Sequence, residues 1–154
     1  MSLARIRKRV PSAARIGTCR LPNHTLKFHK IGADGSAKCD ALYTGNPEDH
    51  LHGALYLIDP EEKSSLDQVE GLGAGYEEKT VQLHDHTGVA YEAYTYYATH
   101  VDPNLMPFTW YVNHVVVGAH EATLPTPYIA DLEATISVTD PDAQRAARER
   151  GIYH

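Results

Sequence analysis

Residues 52–71, HGALYLIDPEEKSSLDQVEG, give the clearest signal of the fold. They predict a buried strand that leads directly into a helix. Apolar residues dominate 52–59, as in a strand that other elements cover. Pro60 suits the first turn of a helix, and the acidic residues after it favour the positive end of the helix dipole. Gly71 is expected to end that helix, since glycine readily adopts the left-handed conformation found after helix C-termini.

Further strands and helices are predicted on both sides of this unit. Periodicity and turn residues predict strands over 14–21, 25–31, 38–44, 76–86 and 89–99. They predict helices over 2–10, 108–121, 125–134 and 142–150. Because helices and strands do not alternate, a doubly wound parallel sheet is disfavoured, and a closed or nearly closed sheet with flanking helices is expected. The whole chain, 1–154, is expected to form one domain, with 140–154 as a peripheral, loosely packed C-terminal helix.

Charge and composition argue against several classes of function. The chain has 154 residues and a net charge of -6, so it is expected to be soluble and to repel nucleic acids and anionic membranes. Apolar runs stay far below the roughly 18 residues of a membrane span, and the basic N-terminus lacks the apolar segment of a secretory signal.

The 2 cysteines are too few for a disulfide framework, which predicts a reduced, cytoplasmic location. The basic run 5–9 is interpreted as a solvated helix face.

Glu70 is the candidate for acid–base chemistry. Helical spacing places it on the same face as Leu66 and Val69, beside the core, where a lone carboxylate is costly. It also lies at a helix C-terminus, where the dipole disfavours negative charge. Each effect raises the pKa of a carboxyl group, which suits a general acid and base at neutral pH. The alternative is a surface residue that merely precedes the glycine at the helix end.

Other residue types offer weaker signals. Within each of the pairs His50/His52 and His84/His86, both side chains lie on one face of a strand and could bind a metal ion. Because no third ligand follows at a clear spacing, surface histidines are the favoured interpretation. Neither cysteine carries a catalytic signature. The glycine-rich stretch 71–75 precedes a strand instead of opening a helix, which favours a flexible pocket loop over a phosphate cradle. The 10 tyrosines could line a polar pocket, or they could pack in the core with their hydroxyl groups at its solvent-exposed edge.

Several short motifs occur together in a fixed order. They are HGALYLI, LDQVEG, a following Tyr76, AYTYYA, WYVNHVVVGA and LPTPYIADL. In order and spacing they resemble the γ-glutamylcyclotransferase-like (AIG2-like) family over roughly residues 3–135. The resemblance implies an α+β fold, a mixed β-barrel of about six strands with flanking helices. It also implies release of 5-oxoproline and a free amine from a γ-glutamyl substrate, without a cofactor or a metal ion, in glutathione metabolism.

The resemblance also assigns site residues. The family's catalytic glutamate corresponds to Glu70, and its pocket tyrosines correspond to Tyr76, Tyr96 and Tyr111. In this chemistry the α-amino group of the substrate attacks its own γ-carbonyl, so the protein needs no nucleophile of its own. One carboxyl group can take the proton from the α-ammonium and return it to the leaving amine, while hydrogen-bond donors stabilise the oxyanion.

One family element is absent from the sequence. Members usually begin with a strand and a YGSN loop, whose backbone holds the glutamyl end of the substrate, whereas this chain begins at Met1-Ser2-Leu3. The family often reads YGSNM at this point, which favours Met1 as an internal methionine taken as the start over a genuine loss of the element. In either case the expectation is a barrel that is open at that edge, which favours a homodimer or impaired activity. Two alternatives to the enzyme therefore stay open: a non-catalytic module that binds small molecules on the same fold, and a structural or interaction protein.

Overall fold

The computed structural model describes residues 1–153. Its helices are α1 Leu3–Arg7, α2 Lys63–Glu70, α3 Thr109–Glu121, α4 Thr126–Glu133 and α5 Ala143–Arg150. Its strands are β1 Ala14–Pro22, β2 His24–Ile31, β3 Ala37–Tyr43, β4 His50–Leu57, β5 Tyr76–Asp85 and β6 Ala90–Ala98. Short 3₁₀ turns occupy Pro60–Glu62 and Gly151–Tyr153. The predicted order of elements is confirmed, with boundaries that differ by a few residues.

The strands form a curled, antiparallel arrangement. One sheet has the order β4-β1-β5-β6, and β2 and β3 form a separate hairpin. The hairpin packs with β3 beside β6 and β2 beside β4, so it lies between the two edges of the four-stranded sheet. The α+β class with six strands and flanking helices is confirmed. The expected barrel is only approximated, because the sheet is not closed by a continuous ladder of hydrogen bonds.

Asp40 of β3 fixes the hairpin against the sheet. Its carboxylate is almost fully buried and accepts a hydrogen bond from the backbone N–H of Ala98 at 2.7 Å. The other carboxylate oxygen lies 2.7 Å from Nε2 of His29 on β2. One buried carboxylate therefore connects three strands, and it brings β3 next to the end of β6.

The unit formed by β4 and α2 follows the sequence prediction closely. Asp59 caps the helical segment by accepting a hydrogen bond from the backbone N–H of Glu61 at 2.9 Å. The segment ends at Gly71, which has φ 77° and donates its N–H to the carbonyls of Asp67 and Gln68. This left-handed residue turns the chain away from the helix. As a result, Glu70 is the last residue of α2, and Tyr76 begins β5 after a short loop.

The basic run at the N-terminus is solvated only in part, because Arg7 and Lys8 are exposed as predicted, whereas Arg5 and Arg9 are half-buried and paired with glutamates. Arg5 forms an ion pair with Glu149 at 3.5 Å, and its guanidinium lies 5.8 Å from the ring centre of Tyr111. Arg7 donates from Nε to the carbonyl of Ala13 at 3.0 Å. A helix of five residues is too short for its sequence pattern to show which side chains turn toward the core.

The C-terminal residues pack more closely than their polar sequence suggests. Trp110 of α3 donates its indole N–H to the buried carboxylate of Asp140 at 2.7 Å, and Arg145 binds the same carboxylate through two nitrogens at 2.6 Å. Ala146 of α5 is 5% exposed and packs in a cluster with Phe108 and Trp110. Most residues of α5 are exposed, as expected of a peripheral helix, but the helix is not loosely packed, because these polar contacts and Ala146 hold it against α3. Among residues 1–153, no helix has the length and apolarity needed to cross a membrane.

Candidate functional site

Glu70 lies at the end of α2 with its side chain 17% exposed, where its carboxylate oxygen Oε1 accepts a hydrogen bond from the guanidinium of Arg9. The sequence predicts a lone carboxylate beside the core, and the structure instead supplies a partner from the segment after α1. Arg9 is itself 20% exposed, so the ion pair is mostly shielded from water. The pairing holds the carboxylate in a defined position, which a group that transfers protons requires.

Tyr76 and Tyr111 both bind the peptide of Cys39. The hydroxyl of Tyr76 donates to the carbonyl of Cys39 at 2.5 Å, and the backbone N–H of Cys39 donates to the hydroxyl of Tyr111 at 3.0 Å. Burial raises the pKa of both phenols well above the usual value, and Cys39 adds to the effect. Both side chains therefore stay protonated at neutral pH and can serve as hydrogen-bond donors, not as bases.

Tyr96 contacts α2 one turn before Glu70. Its hydroxyl donates to the carboxylate of Asp67 at 2.5 Å, and its ring packs against the apolar cluster of Ile6, Val10, Ala13 and Leu66. Burial is the main cause of its raised pKa, and the negative charges of Asp67 and Glu70 contribute. Glu70 also contributes to the raised pKa of Tyr76. The end of α2 therefore places Glu70 within the electrostatic reach of both Tyr76 and Tyr96, while Tyr111 joins them through Cys39.

Residues 1 and 2 lie against the same region. The hydroxyl of Tyr56 donates to the carbonyl of Met1 at 2.8 Å. Ser2 is fully buried, and its hydroxyl accepts a hydrogen bond from the N–H of Arg5 at 3.3 Å. This backbone passes so close to α3 that a Cβ placed on Gly118 would lie 2.8 Å from atoms of Met1 and Ser2. This contact of Gly118 was not predicted, although a glycine inside a long apolar helix is a signal of such a close approach.

Substitution of Gly118 by alanine is expected to destabilise the protein by about 1–3 kcal/mol, because the added methyl group meets backbone atoms that cannot move alone. Urea denaturation would measure the change. Alanine normally stabilises a helix interior by roughly 1 kcal/mol relative to glycine, so the sign of the effect is informative. Gly17→Ala is the control, since its Cβ would meet no atom within 4 Å. A more stable Gly118→Ala protein would contradict the close approach.

The cysteines are poorly suited to nucleophilic chemistry. Burial raises the pKa of both Cys19 and Cys39 to about 11, so both remain thiols at neutral pH. Among residues 1–153, no cluster of three or more histidine, cysteine or acidic side chains is arranged to hold a metal ion. His52 of the first predicted pair packs edge-on against the ring of Tyr128 at 5.0 Å, and it is half-buried instead of lying on the surface.

Three solved structures share the fold. A protein named gamma-glutamyl cyclotransferase matches with a TM-score of 0.86 and 21% identity, over 97% of this chain and 92% of that chain. An uncharacterized protein from Homo sapiens matches with a TM-score of 0.85 and 24% identity, over 98% and 91% of the two chains. YkqA from Bacillus subtilis matches with a TM-score of 0.71 and 19% identity, over 88% of this chain and 49% of its own. At these identities the likeness shows the fold alone.

Comparison with sequence profiles identifies the family of this chain. Among curated proteins, no sequence is significantly similar to this one. The profile of the AIG2-like family matches residues 50–132, which is more than half of the 154 residues. The matched segment runs from β4 to α4 and contains Glu70 together with Tyr76, Tyr96 and Tyr111. The chain therefore belongs to the AIG2-like family and has the fold of γ-glutamyl cyclotransferase.

Proposed function

We propose that this chain, acting as a single domain, is a γ-glutamylcyclotransferase that releases 5-oxoproline from a γ-glutamyl compound. One observation carries the proposal. A mostly shielded carboxylate, Glu70, lies within the part of the chain that matches the AIG2-like family and beside protonated tyrosines. The fold shared with a protein named gamma-glutamyl cyclotransferase supports the same reaction class.

The proposed reaction begins with proton transfer to Glu70. Its carboxylate takes a proton from the α-ammonium group of the substrate, and the free amine then attacks the γ-carbonyl carbon of the same molecule. The new carbon–nitrogen bond closes a five-membered ring, and the oxygen carries the negative charge of the intermediate. Collapse breaks the bond to the leaving nitrogen, which receives the proton held by Glu70, and the ring nitrogen gives up its second proton to water, so that the products are the neutral lactam and the free amine. One carboxyl group thus serves as base and then as acid, and no external nucleophile is consumed.

Arg9 and the tyrosines have supporting roles in this proposal. Arg9 fixes the direction of the Glu70 carboxylate through their ion pair, which leaves the second carboxylate oxygen to face the substrate. The hydroxyl of Tyr111 accepts the N–H of Cys39, and its phenol stays protonated because burial raises its pKa, so its own O–H can donate a hydrogen bond to the developing oxyanion. Tyr76, whose O–H is bound to the carbonyl of Cys39, helps to position this peptide. The rate advantage comes mainly from folding the substrate so that its amine meets its own carbonyl.

A second candidate function is a binding module without turnover. Two surface pockets, of about 410 and 420 Å³, lie on this fold, and Glu70 lines neither of them. A small molecule could therefore be held at a pocket without reaching the carboxylate. This observation favours binding of γ-glutamyl compounds or other small carboxylates by the same scaffold.

Mass spectrometry of 5-oxoproline distinguishes the two functions. The purified chain would be incubated with a panel of γ-glutamyl amino acids and γ-glutamyl amines, and product release would be followed over time. Steady release of 5-oxoproline with an equal amount of the free amine is the expected result. Thermal stabilisation by the same compounds without any release would support the binding module instead. A chain that neither turns over nor binds any member of the panel would contradict both proposals.

A further inference from the structure

A basic pocket lies next to the candidate site. It has a volume of about 420 Å³ and is lined by the end of β2 and the turn after it (30–33), by Ala74 and Gly75, and by His100. The 74–75 segment belongs to the loop that connects α2 to β5, and His100 follows β6. The pocket is thus formed where the hairpin meets the two loops that leave the candidate site.

Tyr76 connects this pocket to the candidate site. The ammonium nitrogen of Lys30 lies 4.7 Å from the centre of the Tyr76 ring, in cation–π contact with it. The same tyrosine begins β5, directly after the loop that follows Glu70 and whose last residues, Ala74 and Gly75, line the pocket. The pocket therefore adjoins the loop that connects Glu70 to Tyr76, and a substrate held at Glu70 could extend along this loop toward Lys30.

Lys30 is held in place by the glycine loop. Gly75 has φ 123°, and a Cβ at that position would lie 3.0 Å from Cε of Lys30 and 3.1 Å from its ammonium nitrogen. The lysine stem is thus packed between the backbone at Gly75 and the ring of Tyr76. This packing fixes the ammonium group at the pocket, whereas lysines on an open surface sample many rotamers.

Lys30 has no acidic partner within residues 1–153, since no carboxylate of this part of the chain lies within 4 Å of its ammonium nitrogen and no acidic residue lines the pocket. Asp34, from the adjacent turn, is already bound to Lys38 at 2.7 Å. Asp102 accepts hydrogen bonds from Asn104 at 2.9 and 3.1 Å. A half-buried, unpaired ammonium group in a pocket with a neighbouring imidazole is suited to bind an anion.

We propose that Lys30 is a specificity-determining residue, which binds a carboxylate on the leaving amine of the substrate. The inference rests on the proposed cyclotransferase function, since it places the γ-glutamyl group at Glu70 and the leaving group in the basic pocket. Lys30 then favours γ-glutamyl compounds whose leaving amine carries a carboxylate over those whose leaving amine is neutral. His100 supplies a second polar contact in the same pocket.

A matched pair of ligands tests the proposal. γ-Glutamylglycine and γ-glutamylmethylamine differ by one carboxylate, and calorimetric titration of Glu70→Gln, which lacks the proposed acid and base, would measure the dissociation constant of each without turnover. With Lys30 intact, this chain is expected to bind the carboxylate-bearing compound roughly 10- to 100-fold more tightly, as for a charge-assisted contact. Lys30→Met keeps the stem over Tyr76 and is expected to remove that preference. Lys27→Met, an exposed lysine of the same strand, is the control and is expected to retain it.

Each outcome has a defined meaning. Because binding is measured in the Glu70→Gln background, a preference that Lys30→Met abolishes supports the carboxylate site even if the chain with Glu70 forms no 5-oxoproline, in which case only the proposed function fails. Where the chain with Glu70 turns over, the ratio of kcat/KM for the two compounds should change in parallel with the binding ratio when Lys30 is replaced. Equal binding of both compounds when Lys30 is intact, or an unchanged ratio after Lys30→Met, would overturn the proposal.

Discussion

Replacement of Glu70 by glutamine is expected to lower kcat/KM for 5-oxoproline release by at least about 100-fold, as for the loss of a general acid and base. Glutamine has nearly the same shape, but it can neither accept the proton of the α-ammonium group nor return one to the leaving amine. Initial rates measured by mass spectrometry at several substrate concentrations would give the change. Binding of substrate is expected to change less than the rate, since the neutral amide still fills the same space.

Two controls make the Glu70 result interpretable. Glu77→Gln changes an exposed glutamate at the start of β5 and is expected to retain wild-type activity. Glu70→Gln also removes the charged partner of Arg9, so its folding must be checked by circular dichroism and thermal denaturation. A folded Glu70→Gln protein with wild-type activity would show that the proton is carried by another group.

Acidification is expected to destabilise the protein through His114. This side chain is 3% exposed, and its ring nitrogens lie 2.8 Å from the hydroxyl of Tyr153 and 2.8 Å from a carboxylate oxygen of Glu149. The pKa of His114 is lowered from 6.5 to about 4, mainly by burial. The positive charges of Arg5 and Arg9 contribute to this lowering, whereas Glu149 opposes the shift. The unfolded chain therefore binds a proton at a higher pH than the folded chain does.

The sign and size of this effect follow from linkage. The contribution of neutral His114 is fully present above pH 6.5 and is lost progressively as the pH falls toward 4. Between pH 7.5 and pH 5 the loss amounts to about 2 kcal/mol. Urea denaturation across this range would measure the free energy of unfolding for the wild-type chain and for His114→Gln, which does not titrate. The variant is expected to be less stable at neutral pH and to show the shallower dependence on pH.

A matched histidine supplies the comparison for that experiment. His120 lies on the same helix, α3, but its side chain is 59% exposed and contacts an exposed glutamate. His120→Gln is expected to follow the wild-type profile. Parallel profiles for the wild-type chain and for His114→Gln would mean that protonation of other groups accounts for the acid sensitivity.

The sequence predicts the local structure well because its signals are local. Residues 52–71 contain an apolar strand, an Asp-Pro start and a glycine end, and each of these acts within one turn of the chain. The same signals predict that Glu70 is the last residue of its helix and that Tyr76 follows after a short loop. The structure confirms both positions. The roles of Glu70, Tyr76, Tyr96 and Tyr111 remain predictions, which the experiments above test.

The contacts around the site could not be predicted, because their partners are distant in sequence. Arg9 and Glu70 are 61 residues apart, and the hydroxyl of Tyr111 meets a backbone N–H that is 72 residues away. A periodic pattern shows that a helix has a buried face, but it does not show which side chain pairs across that face. For this reason the whole basic run 5–9 was predicted to be solvated, whereas the structure leaves Arg7 and Lys8 exposed and pairs the half-buried Arg5 and Arg9 with glutamates.

The C-terminal helix illustrates the same limit. Its sequence is rich in arginine and alanine, which is typical of an exposed helix, yet Asp140 and Arg145 join Trp110 in a hydrogen-bonded group. Polar residues can anchor a segment when their partners are buried and satisfied, and composition alone does not reveal this. The pocket at Lys30 also depends on a distant residue, Gly75, whose left-handed backbone sets the space beside the lysine.

Oxygen-18 incorporation tests the central claim most directly. The chain would be incubated with its preferred γ-glutamyl compound in water enriched in oxygen-18, and the products would be analysed by mass spectrometry. The account predicts 5-oxoproline without the heavy isotope, together with an equal amount of the free amine, because the amine of the substrate attacks and water does not. Glutamate carrying oxygen-18 would reveal hydrolysis and would contradict the proposed cyclisation at Glu70.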